Sequence, residues 1–544
     1  MKKKHLKIYI TALFVIIVLA FGVSFFVRNK KVYGSSDEAK KYTYDLPFKH
    51  YEIKETKFKN KDFNIKNYGA VEGNNVKQNT EAFKEAIEAC TKNGGGRVVV
   101  PSGKFITGPI ELKSNVNLYL ENGSTIEFST NHADYPIIKD EGSSKYVVAS
   151  PIYGYKLNNV AITGNGTING RGDTWRPVKK EKVTTEMWNS LVKGGGVVSG
   201  DVWWPSKEAE DGEAYLKEHK NKLTIDDYNY LKDYLRPYMI YLKNCSSILI
   251  DGPTIENSPN LCTNITGAKD VIIRNTKVYN ELYAQNGDGI DISSSSNVLI
   301  YKCNVSAGDD DIALKSSKNK NEKFALQNVV IADCTVNWGH GGFVVGSNTD
   351  GGMENVYVHN CIYNGTDAGI KFKSAIGEGG TVKNIYVDGI KMKDIKTDAI
   401  SLDSFYENNA LGENNISNSQ KDLIPIFEDI HISNITCNGA LNAVYMKALP
   451  NAPYTNLYFN NVEINSDKGF EAENTRNIKL TNVKIVPKNK DIYTLTKGLN
   501  YEFKNVLCPK NTNIFVKLYG TAKDQIKLVD TNTSSAKEGI KVEN

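Results

Sequence analysis

Short apolar runs separated by polar turn residues recur along most of the chain. Within each run, apolar and polar positions alternate with a period of two, which is typical of β-strands that bury one face. Asn, Gly and Asp between the runs indicate turns. The phrase SILIDGPTIENS at Ser247 returns in similar form at intervals of about 21 to 31 residues, with one of 45, as far as Asn477. These repeats predict stacked coils, because one coil cannot bury its own apolar face.

The pattern predicts an all-β solenoid, a parallel β-helix in which each coil contributes two or three short strands. The Leu-x-x-Leu-x-Leu phrase of leucine-rich repeats, which share this period, is absent from the sequence. Before the repeats, residues 80–92 have helical periodicity and precede three glycines, so we predict a helix that caps the N-terminal end. Its predicted buried face consists of Phe83, Ala86, Ile87 and Cys90.

The sequence divides into four predicted parts. Residues 1–31 are a signal peptide or an N-terminal membrane anchor, 32–59 a linker, 60–498 the β-helix domain and 499–544 a C-terminal cap. Two polar insertions interrupt the repeats, at about 171–236 and 403–425. Loops on a rigid scaffold commonly form the walls of binding sites, so we expect the insertions to border a site.

The formal net charge of +5 comes from the N-terminal segment. Residues 1–31 contain seven Lys and Arg residues and no acid, and without them the net charge is −2. The remainder lacks the basic field of nucleic-acid-binding proteins, so we expect no nucleic-acid partner, and a polyanion needs a local cluster of cations. The apolar run 8–27 is about long enough to cross a bilayer. We therefore expect a protein that is secreted, or anchored to the outer face of the membrane through residues 8–27 alone.

The eight cysteines have no spacing typical of a metal site. Several recur at one position of the repeat, in KNC, YKC, ADC and HNC, which favours a buried stack of small side chains over disulfides, although an oxidising compartment would allow disulfides. We expect no metal and no cofactor.

Four successive repeats continue into a second strand, and their register can be read from the sequence. The segments are GDGIDIS at 287–293, DDDIALK at 309–315, HGGFVVG at 340–346 and DAGIKFK at 367–373. Aligned, they give two columns of inward-pointing apolar residues. The first column is Ile290, Ile312, Phe343 and Ile370, and the second is Ile292, Leu314, Val345 and Phe372.

The same register brings acidic residues together on the outer face. Asp288 aligns with Asp310 on the adjacent coil, and Asp309 aligns with His340, across a strand spacing of about 4.8 Å. Carboxylates this close repel, so at least one is predicted to have a raised pKa, which suits a general acid. Glycoside hydrolysis uses such an acid together with a base that activates water. The charged neighbours on this face are Asp291, Lys315, Lys371 and Lys373, and the lysines suit an anionic sugar.

These segments resemble those of a known enzyme family. QNGDGID at 285–291, AGDDDIALKS at 307–316, WGHGGFVVGS at 338–347 and AGIKFKS at 368–374 are similar to the NTD, DD, GHG and RxK signatures of the polygalacturonases, glycoside hydrolase family 28. The resemblance covers roughly residues 60–485. It implies a right-handed parallel β-helix that hydrolyses α-1,4-galacturonosidic bonds of pectin or polygalacturonate, anionic plant polysaccharides, with inversion. We expect a monomer.

The resemblance also implies roles for individual residues. Asp309 would donate the proton, Asp288 and Asp310 would activate the attacking water, and His340 would support the acid. Lys371 and Lys373 would bind a galacturonate carboxylate.

The chain departs from the family's signature segments at three positions. Gly287 replaces Thr, which we expect to be harmless, and Asp311 replaces a common Cys and is expected to add negative charge. Lys371 replaces Arg, which keeps the charge but loses bidentate binding of a carboxylate. The doubled glycine after His340 resembles the pattern of bacterial exo-acting members. We expect exo action, in which the insertion 171–236 closes one end of the groove so that digestion starts from chain ends.

Three other functions fit parts of this pattern. One is hydrolysis of another pectin backbone, such as rhamnogalacturonan, which the lysine at position 371 allows. Another is a Ca²⁺-dependent pectate lyase of the same architecture. The third is a polysaccharide-binding β-helix without catalysis, which would give no reason for three acids and a histidine to share one patch.

Overall fold

The computed structural model describes residues 36–219, 223–318, 323–406 and 423–543. The chain forms two compact units, residues 1–41 and 42–544. In the first unit, the predicted signal or anchor segment 1–31 lies outside the described residues, and the description begins with the helix Ser36–Thr43. None of the helices described is long and apolar enough to cross a membrane.

The second unit is a right-handed parallel β-helix, as predicted. Its larger sheet has 24 strands in the described residues: Asp62–Asn64, Gly96–Val100, Gly103–Thr107, Val116–Leu120, Ser124–Phe128, Asn158–Gly164, Thr167–Asn169, Ser246–Asp251, Thr254–Glu256, Lys269–Arg274, Lys277–Tyr279, Ser296–Tyr301, Asn304–Ser306, Leu326–Ala332, Thr335–Asn337, Met353–His359, Ile362–Asn364, Thr381–Asp388, Lys391–Lys393, Ile426–Asn438, Tyr454–Ser466, Thr475–Pro487, Leu499–Lys504 and Ile526–Val529.

A second parallel sheet carries the candidate site. Its 14 described strands are Ile110–Glu111, Ile152–Tyr155, Ile240–Lys243, Thr263–Thr266, Ile290–Ser293, Asp310–Lys315, Gly341–Val345, Ala368–Lys373, Asp398–Asp403, Asn442–Lys447, Lys468–Glu473, Asp491–Thr496, Thr512–Tyr519 and Ala536–Glu543. The register predicted from the sequence is confirmed, since Ile290 pairs with Ile312, Ile312 with Phe343 and Phe343 with Ile370. All four of these side chains are buried in one continuous core.

The N-terminal helix runs from Val76 to Lys92, so it begins four residues before the predicted start. The predicted apolar face, Phe83, Ala86, Ile87 and Cys90, is buried in the core of the β-helix. At the other end, the segment predicted to form a C-terminal cap consists of strands. Strands at Leu499–Lys504, Thr512–Tyr519 and Ala536–Glu543 continue the two sheets, because their backbones pair in parallel with the preceding coils. Residues 499–543 are therefore further coils, and the coiled part extends beyond residue 498.

The repeated Asn at the start of each coil forms a ladder of side-chain amides. Asn328 donates to Asn297 over 3.2 Å, Asn355 to Asn328 over 3.2 Å, and Asn384 to Asn355 over 3.4 Å. All four residues have positive φ angles, which Asn tolerates better than most residues. The ladder therefore turns the backbone and links neighbouring coils through the same side chain.

The insertion 171–236 folds as a small lobe of its own. It contains the antiparallel strands Val178–Lys179, Val197–Ser199 and Val202–Trp204, and helices at Thr185–Gly194, Lys207–His219, Ile225–Tyr230 and Lys232–Leu235. Trp188 and Trp203 pack with Val178 in a separate apolar cluster. Trp175 instead lies in the main core. The other insertion, 403–425, falls largely outside the described residues, which omit 407–422.

All eight cysteines are free and buried, as the repeat position indicated. Residues 42–59 of the predicted linker run along the outside of the larger sheet. There the side chain of Tyr51 is buried, and its hydroxyl donates to the Val298 carbonyl over 3.2 Å.

Candidate active site

The predicted acids lie where the chain enters consecutive strands of the second sheet. Asp288 precedes Ile290–Ser293, Asp309 precedes Asp310–Lys315, and His340 precedes Gly341–Val345. Backbone bonds hold these turns in line, since the His340 amide donates to the Asp309 carbonyl over 2.8 Å. His340 Nδ1 lies 3.2 Å from Asp309 Oδ1. The predicted alignment of these two side chains is confirmed.

Each buried carboxylate on this face is paired with a lysine. Lys373 Nζ lies 2.7 Å from Asp310 Oδ2, and Lys371 Nζ lies 3.8 Å from Asp310 Oδ1. Lys315, on the same strand as Asp310, lies with Nζ 3.2 Å from Oδ2 of Asp288 on the neighbouring coil. Lys315 also pairs with Asp291. The predicted acids and lysines therefore form one charged patch.

The pKa values differ across this patch. Burial, with the charge of Asp291 added, raises the pKa of Asp288 well above 3.8, and burial also raises the pKa of Asp291. Burial likewise acts to raise the pKa of Asp309, but the hydrogen bond from His340, followed by the charges of the two nearby lysines, outweighs it and lowers this pKa to about 2. The raised pKa values thus fall on Asp288 and Asp291, with burial as the main cause, and not on the expected proton donor.

Asp311 has a different environment from its neighbours. Its side chain is fully buried, Oδ1 accepts from the Ala307 amide over 3.0 Å, and Oδ2 has no hydrogen-bond partner in the described part of the chain. Burial raises its pKa well above 3.8, so the carboxyl is neutral over a wider range of pH. Burial therefore opposes the negative charge that was expected at Asp311.

Two glycines let the turns of the site pack closely. A Cβ on Gly339, whose φ is +94°, would lie 2.1 Å from Asp311 Oδ2. A Cβ on Gly287, where the family has Thr, would lie 2.8 Å from the Cβ of Ala284 and 3.0 Å from its carbonyl oxygen. Glycine at position 287 therefore suits the close packing of this turn against Ala284, and a threonine there would require Ala284 to move.

The structure adds three residues that the sequence reasoning missed. Lys182, from the insertion, lies with Nζ 3.2 Å from His340 Nε2. Asp367 Oδ2 lies 3.8 Å from the same nitrogen. Tyr406 lies beside Lys371 and Lys373, with its ring centroid 4.6 Å from Lys373 Nζ. Asp367 begins the aligned segment DAGIKFK and shares a column with Asp309 and His340, so it could have been found by following that column to the next coil. Nothing in the repeat pointed to Lys182 or Tyr406.

Among the described residues, no group of three or more His, Cys, Asp and Glu side chains is arranged to hold a metal ion. The acids of the patch are paired with lysines instead. What the patch offers is a set of carboxyl groups with different proton affinities, one imidazole and several cations. A carboxylic acid and a carboxylate on one face are the groups that hydrolysis of a glycosidic bond uses.

The chain matches a known family of enzymes. The model of glycosyl hydrolases family 28 matches residues 183–490, which is more than half of the chain and includes every predicted site residue. The chain belongs to this family and is a glycoside hydrolase.

Relatives and solved structures agree with this assignment. A probable polygalacturonase of Vitis vinifera is 26% identical over 414 residues, covering 73% of each chain. An exo-poly-alpha-D-galacturonosidase of Dickeya chrysanthemi is 27% identical over 372 residues, which are 64% of this chain and 58% of that protein. The crystal structure of an exopolygalacturonase from Thermotoga maritima superposes with a TM-score of 0.63 at 25% identity, covering 89% of this chain and 96% of that one.

Proposed function

We propose that this glycoside hydrolase cleaves α-1,4-galacturonosidic bonds in polygalacturonate or pectin, as its similarity to polygalacturonases suggests. One observation carries the proposal. Asp288, Asp309, Asp310 and His340 share a patch with Lys315, Lys371 and Lys373, so a negatively charged sugar chain would meet both the acids and the cations. A neutral polysaccharide would leave those cations without a role in binding.

In the proposed reaction, Asp309 gives its proton to the glycosidic oxygen as the bond from that oxygen to the anomeric carbon breaks. A water molecule attacks the anomeric carbon from the opposite face, and Asp288 or Asp310 takes its proton, so the anomeric configuration inverts. His340 stabilises the Asp309 carboxylate that remains. Lys371 and Lys373 hold the carboxylate of the sugar at the cleavage point.

Because its pKa is low, Asp309 can act as the proton donor only if the bound substrate raises this pKa. In the free enzyme the hydrogen bond from His340 and the positive charges of Lys373 and Lys371 hold the carboxyl ionised, with a pKa of about 2. A galacturonate carboxylate bound by these lysines would offset their charge, and a nearby anion raises the pKa of an acid. Asp309 would therefore gain its proton in the presence of an anionic substrate.

The direct test is incubation of the purified enzyme with polygalacturonate, following the reducing ends and the size of the products together. Release of saturated galacturonate or its oligomers is the expected result, with Asp309→Asn as the inactive control. Unsaturated products that absorb ultraviolet light and disappear with a chelator would instead indicate a lyase. Binding without new reducing ends would indicate a non-catalytic protein, and defined oligosaccharides would reveal preference for rhamnogalacturonan.

We further propose exo action, because the insertion 171–236 borders the patch. Lys182 contacts His340, and Arg236 donates to the Gln285 carbonyl over 2.8 Å and to Asn286 over 2.8 Å, in the turn before Asp288. A lobe fixed at these points would leave room for a chain end but not for a chain that runs past it. Early products of one or two sugars support this proposal, whereas a rapid fall in viscosity with long products contradicts it.

The proposed location is outside the cell, either free or anchored to the outer face of the membrane. The basic residues around the apolar run 8–27 motivate this proposal. Recovery of activity in the culture medium with a new N-terminus after residue 22 or 34 would indicate cleavage, and recovery in the membrane fraction would indicate an anchor. The same preparations, examined by sedimentation, would test the proposed monomer.

A further inference from the structure

The insertion places a lysine at the centre of the site. Lys182 ends a short helical turn, Lys180–Lys182, directly after the strand Val178–Lys179. This strand pairs with Val202–Trp204, and the Lys180 amide donates to the Asp201 carbonyl over 2.8 Å. The start of the turn is therefore held by backbone hydrogen bonds, and the fold of the lobe positions Lys182.

Lys182 differs from the other lysines of the patch in its partners. Lys315, Lys371 and Lys373 each have a carboxylate oxygen within 4.0 Å. Among the described residues, no carboxylate oxygen lies that close to Lys182 Nζ, whose contact is His340 Nε2 at 3.2 Å. Burial lowers the pKa of Lys182, and the more distant Asp309 opposes this effect. The half-buried cation therefore lacks the anion that would offset the cost of its burial.

We propose that Lys182 binds the carboxylate of a galacturonate residue beside the bond to be cleaved and makes the enzyme selective for unesterified substrate. The inference rests on the proposed function, because it names the part of the same site that recognises the sugar's charge. Lys182 contacts His340, and His340 contacts the expected proton donor, Asp309. A carboxylate bound by Lys182 would therefore lie next to the scissile bond. A methyl ester at this sugar removes the negative charge and leaves Lys182 without a partner.

The contact also orients the imidazole ring. An ammonium group has only N–H donors, so His340 Nε2 accepts from Lys182 and the ring proton stays on Nδ1, facing Asp309. When a substrate carboxylate accepts from Lys182, the same ammonium can still donate to Nε2 through another of its three N–H bonds. Binding of the sugar and orientation of His340 are therefore compatible.

The test compares Lys182→Met and Lys182→Arg with the matched control Lys179→Met, which removes an exposed lysine from the same stretch. Each protein is assayed on unesterified oligogalacturonate and on the same oligomer fully methyl-esterified. For Lys182→Met we expect KM for the unesterified oligomer to rise about 10- to 100-fold, the usual range for one charge-assisted hydrogen bond. Lys182→Arg is expected to recover most of the loss, and Lys179→Met to behave as wild type.

The ratio of kcat/KM between the two oligomers decides the outcome. If Lys182 binds the carboxylate, the wild-type preference for the unesterified oligomer falls about tenfold or more in Lys182→Met. An equal loss on both oligomers, carried by kcat, would overturn the proposal and leave Lys182 as a residue that only orients His340. A wild-type enzyme inactive on polygalacturonate would instead contradict the proposed function, while calorimetric binding of oligogalacturonate to Asp309→Asn, with and without Lys182→Met, would still test the lysine.

Discussion

His340 Nδ1 lies 3.2 Å from Asp309 Oδ1, although the two residues belong to different coils. The hydrogen bond between their backbones, from the His340 amide to the Asp309 carbonyl, fixes the two turns relative to each other. The imidazole therefore acts on a carboxyl group whose position is set by the sheet. Asp309 is also one-fifth exposed, whereas Asp310 is 2% exposed, so Asp309 is the member of this pair that a substrate can reach.

Substitution of the expected proton donor gives the first prediction. Asp309→Asn should lower kcat on oligogalacturonate about 100- to 10,000-fold, the usual contribution of general acid catalysis. The loss should be much smaller on a galacturonide with a nitrophenol leaving group, because this group departs without protonation. Asp288→Asn is the control, since loss of a base slows both substrates. Equal losses for Asp309→Asn on both substrates would contradict its role as the acid.

Lys315 should set the pH at which the enzyme becomes active. Burial and the charge of Asp291 raise the pKa of Asp288, and the Lys315 ammonium lowers it. In Lys315→Met this pKa should rise further, so Asp288 ionises only at higher pH. If Asp288 must be ionised to accept a proton, the acidic limb of the kcat/KM profile moves upward in pH. Lys315→Arg should keep the wild-type limb, and an unmoved limb in Lys315→Met would exclude Asp288 as the base.

The two lysines of the RxK-like segment should differ in their effect on stability. Lys373→Met removes the cation 2.7 Å from Asp310, a carboxylate that is 2% exposed, and breaking a buried pair costs about 3 kcal/mol or more. Lys371→Met removes a cation at 3.8 Å and should lower the unfolding free energy by less than about 1 kcal/mol. Denaturant unfolding of both variants measures the difference. Equal losses would show that Asp310 does not depend mainly on Lys373.

Asp311 should make stability depend on pH in the opposite sense to a paired carboxylate. Burial raises its folded pKa above the unfolded 3.8, so its contribution is complete below pH 3.8 and is lost as the pH rises through the folded pKa. Asp311→Asn cannot ionise, and its melting temperature relative to wild type should therefore increase from pH 4 to pH 8. Thermal unfolding at both pH values is the measurement. The control is Asp524→Asn, which removes an exposed carboxyl in the turn Lys523–Gln525 and leaves Asp311 in place. A constant difference would mean that Asp311 is ionised in the fold.

The coils and the acid patch could be predicted because both follow from strand register. Once Ile290, Ile312 and Phe343 are placed in one column, the positions of the preceding Asp and His residues follow from the fixed spacing of the strands. No such rule links Lys182 to His340, because the lobe that carries Lys182 has no repeat and its fold depends on contacts between distant residues. The pKa of Asp309 was missed for a related reason, since it depends on side-chain distances and not on the order of residues along a strand.

The strand-to-strand hydrogen bonds beneath the acids have a consequence for how such enzymes diverge. The separation between successive coils is set by backbone pairing, as in Asp310 with Gly341 and Gly341 with Ala368, and not by the length of the connecting loops. A loop can therefore lengthen into a lobe such as 171–236 while the carboxyl groups keep their separation. New substrate preferences can arise by grafting or trimming of loops alone, and exchange of this lobe between relatives is a practical route to engineered pectinases.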